Sequence, residues 1–143
     1  MITLNEAEAV EVSLSAVDEG DESRAFQTLD SLTGIAADFL SENEEADAER
    51  VILSIESGAQ AAAEREMELV TINSILSLGK LARKAADKGF ESALGRAFIA
   101  IGKLGKTAAA HSLEAGSKVA ATTLMEIWNF FPEKWDQEKV IAF

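Results

Sequence analysis

Leu78-Gly79-Lys80-Leu81-Ala82 returns as Ile101-Gly102-Lys103-Leu104-Gly105, 23 residues later, and this echo is the closest of a series that runs through most of the chain. Stepping by 23 from Glu22 gives Glu45, Glu68, Glu91 and Glu114, the same acid five times. Seven residues after each stand Leu29, Ile52, Ile75, Phe98 and Ala121; ten after, Leu32, Ile55, Leu78, Ile101 and Leu124; thirteen after, Ile35, Gly58, Leu81, Leu104 and Ile127. Apolar residues at these offsets share one face of an α-helix, so each unit is one amphipathic helix. A weaker half-unit with Ala9, Val12 and Ala16 precedes them.

The joints fall in register too, at 18–21, 41–44, 64–67, 87–90 and 110–113. Gly20 and Gly89 are the clearest terminators, and Ser41 to Glu44 reads as a capping box. Glu64-Arg65-Glu66-Met67 contains no breaker, which leaves open that the third and fourth helices run on as one. Removing the joints leaves helices of about 18 residues, roughly 27 Å long. Short joints make consecutive helices antiparallel. The expectation is an all-α chain of six antiparallel helices, at about 3–17, 22–41, 45–63, 67–87, 91–110 and 114–131. Small residues recur at Ala36, Ala59, Ala82 and Gly105, and again at Ala62-Ala63, Ala85-Ala86 and Ala108-Ala109, so helix axes can approach closely.

Two units make 46 residues, and on that period and apolar pattern residues 22–131 resemble a short HEAT-like α-solenoid. A compact helical bundle is the alternative fold. Residues 1–131 read as one helical-repeat domain. After Pro132 the repeat stops, leaving 132–143 as an aromatic and apolar segment. The resemblance implies work done by an extended surface.

Composition agrees with helix: 143 residues, 48% hydrophobic, 27% charged, 25 Ala, one Pro and no Tyr. The absence of Cys excludes disulfides, thiolate metal sites and Cys nucleophiles, and a single His excludes sites needing two imidazoles. The longest uncharged run, Leu69 to Gly79, is 11 residues, short of the roughly 18 that a membrane span needs. The opening Met1 to Glu6 lacks the basic and apolar regions of a signal peptide. The chain therefore reads as soluble and cytoplasmic, with no cofactor and no metal.

The net charge of −12 is uneven: residues 1–70 carry 18 acids and only Arg24, Arg50 and Arg65, whereas residues 71–143 carry 7 acids and 10 bases. Such asymmetry points to a partner specified by charge, or to self-association of unlike halves. Lys80 with Arg83 and Lys84, and Lys103 with Lys106, occupy corresponding places in their units. In antiparallel neighbours those places are displaced by very roughly 8–16 Å, so a diffuse basic strip across 79–118 is expected. Binding of an anion or of nucleic acid along that strip is the alternative function, opposed by the acidity of the whole. Association with an anionic membrane surface has the same charge logic but lacks an aromatic apolar face.

Chemistry is hard to place. Gly105-Lys106-Thr107 lacks the earlier Gly of a phosphate loop, since residue 100 is Ala, and it falls inside a helix unit. His111 and Glu114 are three apart and could pair, but the repeat places His111 in a joint, where an exposed His is the ordinary outcome. The acids Glu42, Glu44, Glu45, Asp47 and Glu49 lack the Gly-punctuated order of a calcium loop. The aromatics cluster late, at Trp128, Phe130, Phe131, Trp135 and Phe143, either as a plug for the stack or as a docking segment. The sequence thus points to a non-enzymatic protein-interaction or scaffolding module, binding another protein or itself, with Lys80, Arg83, Lys84, Lys103, Lys106, Trp128, Phe131, Trp135 and Phe143 as candidate surface.

Overall fold

A computed structural model describes residues 5–129. Six helices follow in order: α1 (Glu6–Asp18), α2 (Glu22–Ser41), α3 (Glu45–Glu64), α4 (Glu68–Asp87), α5 (Glu91–Ala110) and α6 (Glu114–Trp128). The five repeated glutamates are the first residues of α2 to α6, where a carboxylate faces the positive end of the helix dipole. The first helix starts later than the pattern suggests, because the Asn5 side chain caps it by accepting from the Glu8 amide at 2.9 Å. The last one ends at Trp128, with Asn129 as its C-cap.

All five joints are the same turn. Gly20, Asn43, Glu66, Gly89 and Ser112, spaced by 23, have positive φ of 60° to 76°. At each, the left-handed residue donates back to the carbonyl three before it, and the next residue donates to the carbonyl five before it, as in Gly89 to Ala86 and Phe90 to Ala85. That is the Schellman arrangement. It closes α3 at Glu64 even though Glu66 has no glycine's freedom, so α3 and α4 do not run on as one helix. Burial of Met67, 4% exposed, offsets the strain at Glu66. The expected capping box is also absent: Ser41 is the last residue of α2, and Glu44, the N-cap of α3, makes no side-chain cap bond.

Left-handed geometry costs a side-chain-bearing residue about 1 kcal/mol or somewhat more. Glu66→Gly is therefore expected to raise stability by about 1 kcal/mol, seen as a higher urea midpoint at unchanged slope. A lower midpoint would mean that the Glu66 side chain does more than fill the turn.

Each helix touches the next and the next but one, and no other helix pair is in contact among the described residues. The helices therefore form two layers, α1, α3, α5 and α2, α4, α6, and α1 never meets α6. That is an open stack, and it replaces the compact-bundle alternative. Helices two apart run parallel, as Glu6 meeting Arg50 near their starts and Asp18 meeting Arg65 near their ends requires. The core lies between the layers, with Leu32, Ile55, Leu78 and Ile101 fully buried along its length.

Candidate interaction surface

The repeat also decides where charges meet. Long-range side-chain hydrogen bonds and ion pairs among the described residues join helices two apart, or the turns that end them, within one layer. In the α1, α3, α5 layer the acid comes from the earlier helix and the base from the later one: Glu6 with Arg50, Asp18 with Arg65, Glu49 with Arg96 and Glu56 with Lys103. The acidic first half and basic second half are thus partly an internal ladder. Most rungs are solvent-exposed and individually weak.

The strongest rung by geometry is Arg50. Its Nε and Nη2 donate to the two carboxylate oxygens of Glu6 at 2.8 Å each, it bonds Asp47 one turn earlier, and its guanidinium lies 5.7 Å from the Phe39 ring centroid. It therefore ties α1, α2 and α3 together. Its hydrogen bonds hold the carboxyls of Glu6 and Asp47 below their ordinary values of 4.5 and 3.8. A depressed carboxyl contributes stability that is complete above its ordinary value and lost as pH falls through the depressed one. The urea midpoint is expected to drop as pH falls below about 4, and Arg50→Gln should make that drop shallower. An equally steep drop in the variant would place the acid sensitivity elsewhere.

The sequence-derived basic residues separate. Lys80, Arg83 and Lys84 stand on α4; Lys103 and Lys106 stand on α5, in the other layer. Arg83 bonds Glu126 of α6 at 3.3 Å, whereas Lys103 pairs with Glu56 of α3 at 3.5 Å. Lys80, Lys84 and Lys106 make no ion pair among the described residues. For Lys80 the difference from Lys103 is a single side chain: 47 residues before Lys103 stands Glu56, but 47 before Lys80 stands Thr33, whose hydroxyl donates to the Leu29 carbonyl.

Between α4 and α6 a hollow of about 230 Å³ is lined by Leu76, Lys80, Arg83, Glu126 and Ile127 among others. Trp128 closes α6 half-exposed, its ring 5.9 Å from Phe98 of α5. Phe131, Trp135 and Phe143 lie outside the described residues. His111 is the C-cap of α5, with Nδ1 4.0 Å from Glu66 instead of a contact with Glu114. Gly105, Lys106 and Thr107 lie inside α5, where Thr107 accepts a bond from Gln60. Of the clustered acids, Glu45 accepts from the Ala93 amide at 3.1 Å and Glu49 from the Ser92 hydroxyl at 2.7 Å, so they join α3 to α5.

Sequence reasoning missed the apolar part of this surface. Phe26, Leu69, Leu76 and Met125 are 40 to 75% exposed, all on α2, α4 or α6. Phe26 and Leu69 line one hollow between α2 and α4, and Leu76 lies two turns beyond Leu69 on the same side of α4. A signal was present: the residue after each repeated glutamate is Ser23, Ala46, Leu69, Ser92 and Ala115, so Leu69 breaks a small-residue position.

No helix among the described residues is long and apolar enough to cross a membrane. Compared with known proteins, the chain matches no family model, no curated protein and no solved structure.

Proposed function

We propose that the chain is a non-enzymatic protein-interaction module, a short HEAT-like α-solenoid that binds a protein partner through the outer side of its α2, α4, α6 layer. One observation carries the reading: Leu69 and Leu76 are exposed on α4, with Phe26 beside Leu69 and Lys80 beside Leu76. Exposed apolar side chains grouped on one face and bordered by charge are the ordinary make-up of a binding surface. The open stack supports it as well, since repeat arrays work through extended surfaces.

The test uses the full chain and a Leu69→Ser/Leu76→Ser variant. Both side chains stand largely outside the core, so the variant keeps the fold, which circular dichroism checks. Light scattering reads self-association, and affinity capture from the native cell reads outside partners. The expected result is that the variant loses self-association or at least one partner that the wild-type chain captures. Equal mass and an equal captured set would remove this face as the binding surface.

A further inference from the structure

On the opposite layer, two adjoining hollows of about 370 and 640 Å³ share Leu14 and together form a groove between α1 and α3. Its floor is apolar, made by Val10, Leu14, Val17, Leu53 and Ala61, of which Leu14 is 44% and Leu53 42% exposed. Its lining acids Asp18 and Glu64 balance its lining bases Arg50 and Arg65, but with Glu6, Asp47 and Glu11 beside it the surroundings hold five acids against two bases. The two bases that line it are already matched, Arg50 by Glu6 and Asp47 and Arg65 by Asp18. Glu64 at one end of the groove, and Glu11 on the same side of α1 as Leu14, make no ion pair among the described residues. The groove also lies in the half of the chain that carries 18 acids against three bases.

We propose that this groove binds a basic amphipathic helix from a partner protein. The occupant is argued from charge and from dimensions. A field of this sign steers and retains a cationic partner. From Val10 to Asp18 the groove runs along α1 for about 12 Å, and anchors at i and i+7 of an incoming helix span about 10.5 Å. Apolar residues at i, i+3 or i+4, and i+7 would cover Leu14 and Leu53, while lysines or arginines on the flanks would face Glu11 and Glu64. This surface is separate from the α2, α4, α6 face and does not depend on it.

The test titrates the full chain into a labelled peptide of about 18 residues, five helical turns, built of Leu at amphipathic spacing with Lys elsewhere, and into its twin with Glu in place of Lys. Anisotropy reads binding and circular dichroism reads helix formation. The Lys peptide is expected to bind and become helical, and the Glu twin to do neither. Leu14→Ser/Leu53→Ser should weaken binding about tenfold, as loss of central anchors does, and the loss should persist near 0.5 M salt, where exposed charges are screened. Glu11→Gln/Glu64→Gln, which leaves the apolar floor intact, should weaken binding at low salt only. Leu69→Ser/Leu76→Ser should leave the Lys peptide's affinity unchanged. The proposal is overturned by equal binding of the Glu twin, by affinity that ignores the Leu14 and Leu53 changes, or by loss of binding in the Leu69 and Leu76 variant; the last result would leave the α4 face standing and remove only this groove.

Discussion

Leu78→Ala is expected to destabilise the chain by about 2–5 kcal/mol, whereas Leu124→Ala, at the same place in its own repeat unit, should cost about 1 kcal/mol. Leu78 is fully buried because α4 is packed against α2, α3, α5 and α6, so truncation leaves a cavity with walls on every side. Among the described residues α6 touches only α4 and α5, and Leu124 is partly buried against the core. Its truncation exposes a site that water reaches, and the cavity contribution largely disappears. Urea unfolding of both variants checks the pair. Equal losses would mean that Leu124 lies as deep as Leu78, and that α6 is covered on its outer side in solution.

Gly105→Ala and Gly102→Ala are expected to act in opposite directions, although the two glycines stand three residues apart on one helix. A Cβ at Gly105 would lie 2.8 Å from the Ala120 Cβ. Neither atom can rotate away, so α5 and α6 must separate. Overpacking of this kind costs about 1–3 kcal/mol, against a gain of about 1 kcal/mol from replacing glycine by alanine within a helix. The net expectation is a loss of up to about 2 kcal/mol. A Cβ at Gly102 meets nothing within 4 Å, so that variant keeps the whole helix-propensity gain, about 1 kcal/mol. Thermal or urea midpoints that move together would show that the α5 to α6 approach is looser than these distances require.

The same position explains what a repeat alignment alone leaves open. Ala36, Ala59 and Ala82 occupy the place of Gly105 and are fully buried without difficulty. The pattern identifies a position for small residues. The requirement for glycine at one copy comes from the spacing between two particular helices, which depends on Ala120.

The helix count, most boundaries and the parity of the stack are legible in the residues alone, because a 23-residue period of apolar positions acts locally and Gly20 and Gly89 end helices by their own backbone freedom. Tertiary structure decided the rest. The joint at Glu66 forms without a breaker because burial of Met67 holds the chain there, and that burial exists only once α3 and α4 are packed. The open stack rests on α1 and α6 never meeting, which no local pattern specifies. The basic residues of α4 and α5 divide between two layers because consecutive helices alternate, while lateral charge contacts join helices two units apart. Lys80 and Lys103 are therefore equivalents in the repeat, yet among the described residues one stands without an ion pair beside Leu76 and the other is paired with Glu56. The physical reason is common to all three. Propensity and turns act over a few residues, but which side chains face each other across 46 residues depends on how whole helices pack.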